Sequence, residues 1–231
     1  MLVSPKSWSI ALLSALVLAA CGGGGGGTTG PKGQGGPLLV DASNFDNTAL
    51  GVALAALPME PLNADEQATL AYMREEEKLA HDVYAQSATL WGGSTKIFGN
   101  IAISESTHTE AMRQLLERYS LVDPAANLGP GLYMDTTLQA LYTQLAAGAP
   151  TLIDALKVGA TIEEVDMIDI NAALLLVDNT DIRLVYDNLL KGSRNHLRTF
   201  VNTLAAQGVT YAPQYMAWAD YTAIVSTPME R

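Results

Sequence analysis

Glu105 and His108 stand three residues apart in the stretch ISESTHTEAMRQLLERY, residues 103–119. If that stretch is a helix, one turn separates them and both side chains leave the same face. A carboxylate and an imidazole so related can offer an oxygen and a nitrogen to one cation. Ile101, Glu105, His108, Met112 and Leu115 follow steps of four and three, so this face is predicted to look into a core. Glu77 shares such a stripe with Leu70, Met73, Ala80 and Tyr84, and His196 another with Ile182, Val185, Leu189, Ser193 and Phe200. A third stretch, IEEVDMID, offers Glu163, Glu164, Asp166 and Asp169. Glu164, which shares a face with Ile168 and Leu175, is the first choice there.

Read alone, an inward histidine is a hydrogen-bonded core residue, and a charged run such as REEEK is a solvated face. Read together, polar residues recur at mid-length on four apolar stripes. Burying several carboxylates side by side is costly unless protons or a cation neutralise them. Divalent metal held by carboxylate oxygen and imidazole nitrogen is the simplest neutraliser.

The elements that carry these residues read as helices throughout, with no alternating strands or hairpin turns. Asn63 followed by Glu66 opens a helix over about 64–91 that stops at Gly92-Gly93. A second covers about 95–119, and Asp135 caps a shorter one to about 147. The next starts at Thr151, with a break or bend expected near Asp169–Asn171, and a long one runs from about 181 to 208. Residues 38–62 contain a short packing segment closed by Pro58 and Pro61, and the aromatic-bearing tail 209–231 is expected to pack back. The fold class is all-α: a four-helix bundle spanning 63–208, with a short extra helix in the middle crossover.

Of the 231 residues, 48% are hydrophobic and 16% charged, enough for a sizeable core. The formal net charge of −11 argues against nucleic acid as a partner, because phosphate binding needs a basic surface. Residues 1–20 carry one positive charge, at Lys6, and an apolar stretch of signal-peptide length from Trp8 to Ala20. The end of that stretch, Leu18-Ala19-Ala20-Cys21, resembles the lipobox of bacterial lipoproteins. This implies cleavage before Cys21, lipidation of Cys21, and anchorage to the bilayer of the cell envelope. Residues 22–37, GGGGGGTTGPKGQGGP, are a flexible tether with a reach of about 20–25 Å.

The arrangement resembles the ferritin-like superfamily, whose usual two-iron ligand set is a Glu from each of two helices and a Glu-x-x-His from each of the other two. MREEEKLAHDVY, IAISESTHTEAM, ALKVGATIEEVDMIDI and GSRNHLRTFVNTLAAQGVTYAPQY look more specifically like a bacterial and archaeal ferritin-like branch, domain of unknown function family 2202. That branch is described as carrying a dinuclear metal motif without an established reaction. The resemblance covers roughly residues 60–215. It implies a fold of ferritin-like type, with Glu77, Glu105, His108, Glu164 and His196 as ligands and Tyr84 as a neighbour of the redox centre. Ser193 stands where a Glu is usual three residues before the final histidine, which implies unequal affinities, one metal only, or replacement by Asp166 or Asp169.

The implied cofactor is iron, two ions or one, with manganese as the alternative. The implied chemistry is ferrous iron oxidation or removal of peroxide or oxygen, with the small oxidant as partner and room for a homodimer. A lipid anchor and a flexible tether do not suit assembly into a storage cage. The competing expectation is a metal-free bundle that serves as an interaction module in the cell envelope.

Overall fold

A computed structural model describes residues 46–230; the proposed signal segment, Cys21 and the tether lie outside the described residues. Among the described residues there are seven helices and no strand: α1 Asn47–Ala56, α2 Ala64–Trp91, α3 Ile97–Arg118, α4 Thr136–Ala147, α5 Leu152–Leu174, α6 Thr180–Ala206 and α7 Trp218–Val225. None of them is long and apolar enough to cross a membrane.

Local chemistry sets the helix ends. Asn63 Oδ1 accepts from the backbone N–H groups of Asp65 and Glu66, and Glu66 Oε2 returns the bond to Asn63 N, which closes a capping box on α2. The other oxygen of Glu66 accepts from the backbone of Asp178 and Asn179, so the same side chain ties the start of α2 to the α5–α6 turn. Asp135 caps α4 through Thr137 N and Leu138 N. Past α6, Gly208 takes a φ of +74°, a left-handed value that glycine reaches without strain, and Val209 N bonds back to Leu204 O.

The long helices α2, α3, α5 and α6 pack as one bundle. Glu77 faces His108 and Ala88 faces Gly99, so α2 and α3 run antiparallel. Asp166 faces Ser193 and Gly159 faces Phe200, so α5 and α6 do the same. Tyr72 bonds Asp169 and Tyr84 bonds Glu163 across α2 and α5, and Arg118 pairs with Asp181 across α3 and α6. Every neighbouring pair is antiparallel, yet the consecutive helices α3 and α5 point the same way. The long crossover holding α4 makes that parallel step.

The interior is layered. On one side of mid-length, Tyr84, Phe98 and Phe200 form an aromatic cluster with ring centroids 5.4 and 6.0 Å apart. On the other side Leu70, Met73, Met112, Leu115 and Leu189 are fully enclosed. Each such side chain contributes about 1.5–3 kcal/mol through burial, which holds the polar layer between them in place.

Two expectations need correction. Helix α5 is one unbroken helix through 169–171, where the Asn171 side-chain amide donates to Met167 O at 2.6 Å. The REEEK run is no solvated face, since Glu75, Glu76 and Glu77 are all buried. Glu75 accepts from Met134 N and Asp135 N and thereby anchors the start of α4. Arg74 pairs with Asp123, and Lys78 reaches Asp82 and Gly129 O.

Candidate metal centre

Between the aromatic and aliphatic layers lies a polar layer supplied by all four long helices. Glu77, Glu105 and His108 each bring one donor atom within 4.8 Å of the others, and Glu105, Glu163 and His196 form a second such group. Glu105 belongs to both. Its Oε2 lies 2.9 Å from His108 Nδ1 and its Oε1 lies 2.8 Å from His196 Nδ1. Glu77 Oε2 stands 3.2 Å from His108 Nδ1, and Glu163 Oε1 3.5 Å from His196 Nδ1. The two imidazoles stack at 5.6 Å, and all five side chains are buried.

Neighbouring residues fix these orientations. Gly192 on α6 makes room for His108: a Cβ there would lie 2.5 Å from His108 Cε1 and 2.6 Å from Nε2. His196 Nε2 sits 3.0 Å from Ser104 Oγ, which leaves Nδ1 to face the carboxylates. Tyr84 donates its hydroxyl to Glu163 Oε1 at 2.5 Å and lies 3.2 Å from Gly159 O. His81 points elsewhere, half-exposed and 3.1 Å from Asp82.

Glu164, the first choice on the third helix, does not join this layer. Its carboxylate accepts the Tyr211 hydroxyl at 2.5 Å and the backbone N–H groups of Gln214, Tyr215 and Met216 at 2.7–2.9 Å. It clamps the C-terminal segment onto α5. Glu163 occupies the inward position instead. Ile168 and Leu175, which suggested the phase of Glu164, are exposed, Leu175 to 87%. The line Gly159, Glu163, Asp166 and Ile170, at steps of four, three and four, carried the true inner phase.

Asp166 also escaped selection as a first choice. Ser193 Oγ donates to Asp166 Oδ2 and bonds Leu189 O at 2.9 Å. A carboxylate therefore stands beside the helix position where the resemblance expects a Glu. It arrives from α5 rather than from α6.

The electrostatics are those of a strained acidic pocket. Burial pushes the Glu77 carboxyl up to about 7, offset in part by His108. Burial, then the charges of Glu77 and Glu163, push Asp166 well above the carboxylate range. Burial also raises Glu163. Burial alone would raise Glu105 too, but the charges of His108 and His196 outweigh it and hold its carboxyl well below the usual range. Burial would lower His196, yet Glu105 and Glu163 lift it to about 10, and Glu105 and Glu77 likewise raise His108. Protons on the two imidazoles thus supply positive charge around Glu105.

The oxygens Glu77 Oε1 and Asp166 Oδ1 and the nitrogen His196 Nδ1 are buried without an aligned hydrogen bond. Buried polar atoms rarely go unpartnered. His108 and His196 face Glu77, Glu105 and Glu163 from Nδ1, and a fourth carboxylate, Asp166, stands near Glu77 and Glu163. Four carboxylates balance the charge of two divalent ions, and the mixed oxygen and nitrogen donors suit iron, manganese or zinc.

Comparisons with known proteins agree on kinship and leave activity unassigned. The profile of an uncharacterized protein domain, DUF2202, matches residues 66–228. The uncharacterized protein MJ0754 of Methanocaldococcus jannaschii is 44% identical over 179 residues, covering 77% of this chain and 96% of that protein. The crystal structure of that hypothetical protein aligns with a TM-score of 0.73 over 76% of this chain and 99% of the other. The chain belongs to the DUF2202 family of uncharacterized protein domains.

Proposed function

We propose that the polar layer binds two divalent metal ions, iron with manganese as the alternative, and uses them for redox chemistry with oxygen or peroxide. The observation that carries this reading is the double role of Glu105, whose two oxygens face two histidines in two overlapping donor groups. Glu77 and His108 would hold one ion, Glu163 and His196 the other, and Glu105 both. Asp166, held by Ser193, would supply the fourth negative charge, so the serine moves the ligand to another helix rather than disabling half of the centre. The antiparallel packing with one long parallel crossover supports a bundle of ferritin-like type.

Bound ferrous iron would supply the electrons that reduce oxygen or peroxide. The remaining work falls to the chain. The apolar layers restrict water, which strengthens electrostatic interactions in the layer between them. Ser104 holds His196 with Nδ1 facing inward, and Gly192 lets the His108 ring sit flush against α6. Protons at the histidine Nδ1 atoms and on Glu77 and Asp166 leave as metal binds, so binding releases acid. Tyr84 positions Glu163 through a short hydrogen bond and stands beside the proposed centre. Lipidation of Cys21 would place this chemistry at the cell envelope, a proposal that rests on Leu18-Ala19-Ala20-Cys21.

The test is to load the metal-free chain with ferrous iron without oxygen and then follow consumption of oxygen and of peroxide. Consumption should be stoichiometric with iron and faster than for free iron, and Glu105→Ala should abolish the difference. No rate above free iron with either oxidant would refute the redox assignment. The metal-free interaction module has one observation in its favour: the two protonated histidines already supply countercharge to Glu105 without a metal.

A further inference from the structure

A narrow crevice enters the bundle between α2, α4 and α5. Half-buried Leu141 and Thr161 lie at its outer edge, and its walls are Leu79, Ala80, Leu145, Ile162 and Val165, all buried. The Thr161 hydroxyl is engaged with the Tyr211 hydroxyl at 3.0 Å, so it is not free to hold a polar solute at the mouth. Buried Glu76 and Asp166 complete the lining at the inner end. Neither oxygen of Glu76 has a hydrogen-bond partner, nor has Asp166 Oδ1, while Asp166 Oδ2 accepts from Ser193 across the bundle.

Size and lining together select what can enter. The crevice has room for about one water-sized molecule, which excludes anything beyond a few atoms. A water resting along the walls would lack the polar partners that buried waters use, whereas apolar voids take up small apolar molecules. Hydrogen peroxide carries donors and acceptors, and would shed its hydration against walls that return no hydrogen bond. Dioxygen, small and apolar, gains by leaving water. The path also has a destination. Glu76 is the α2 neighbour of Glu77, and Asp166 stands one turn past Glu163 on α5, so the inner end borders the polar layer.

We infer that this crevice is the entry route and resting place for dioxygen, leading from the α4 side of the bundle to Asp166 at the edge of the centre. As a route to a reactive centre it rests on the metal reading proposed above; as a site for a small apolar gas it stands alone. Ala80 is its specificity-determining wall, because a larger side chain there fills the space between α2 and α5.

Dioxygen is paramagnetic, so methyl NMR spectra of the metal-free full chain under dioxygen and under argon locate it directly. The methyl signals of Leu79, Leu145 and Val165 should broaden severalfold more than those of Leu70 and Leu189, which are as deeply buried but lie off the crevice. Ala80→Leu should abolish that excess. Leu141→Trp, a change at the half-buried mouth, should reduce it. After anaerobic iron loading, both variants should retain as much iron as wild type and consume dioxygen severalfold more slowly, with peroxide consumption unchanged. Broadening no greater in the crevice than at Leu70 and Leu189 would overturn the inference, whatever the chain does with iron. Equal slowing with dioxygen and with peroxide would overturn the route. Selective broadening in a wild-type chain that retains no iron would uphold the gas site while refuting the centre.

Discussion

Glu163 and Glu164 are adjacent in sequence and assigned opposite work, so substituting each separates metal binding from stability. Glu164→Ala removes an acceptor that serves three backbone N–H groups and the Tyr211 hydroxyl. A hydrogen bond to a charged group contributes about 1.5–3 kcal/mol, but the losses do not add in full because the freed N–H groups are half-buried and can meet water. The expected cost is about 3–4 kcal/mol. For a domain of this size that corresponds to a fall of roughly 6–16 °C in Tm. Glu163→Gln keeps the shape, removes a buried charge and leaves Tyr84 with Gly159 O as acceptor, so the metal-free protein should shift by about 1 kcal/mol or less. Calorimetry of both metal-free variants, with iron counted after anaerobic loading, gives the answer. Glu164→Ala should melt early and still bind metal, whereas Glu163→Gln should melt normally and lose an ion. The opposite pattern would refute the helical phase on which the centre is built.

Other consequences follow from the same geometry. His196 is lifted to about 10 in the fold against an ordinary 6.5, so the stability it contributes is complete below pH about 6.5 and is lost as pH rises towards 10. Glu77, raised to about 7 by burial, acts in the same direction between about 4.5 and 7. The metal-free protein should therefore lose on the order of 3–5 kcal/mol between pH 6 and 10, and metal-loaded protein much less, as read by denaturant melts. Gly192→Ala places a methyl in the His108 ring and should cost about 1–3 kcal/mol while weakening metal binding at least tenfold, measurable by calorimetric titration. Tyr84→Phe should leave the ion count unchanged and slow the reaction with oxygen or peroxide, measured by stopped-flow absorption.

Where helices begin and end was legible because the signals are local. Asn63 with Glu66, Asp135, and Gly208 each act within a turn of the boundary they set. The stripes through Glu77, Glu105, His108 and His196 were legible because long apolar runs fix the helical phase around them. Helix α5 offered no such guide: its apolar residues face both the core and the tail, and Glu163 and Glu164 are both buried, one for each. The tail helix α7 is short and left no pattern beyond its aromatics. The pairing of Ser193 with Asp166 spans two helices, so no window along the chain contains it. Within REEEK only Glu77 was legible as inward, because Glu75 is buried by contacts with Met134 N and Asp135 N some sixty residues away, which no local window contains.

The central claim is that this layer holds two metal ions through Glu105. The most direct measurement is elemental analysis of the metal-free chain after anaerobic loading with ferrous iron and desalting, beside Glu105→Ala. Two retained irons per chain, both lost in the variant, are the predicted result. No retained iron, manganese or zinc in the wild-type chain would contradict it.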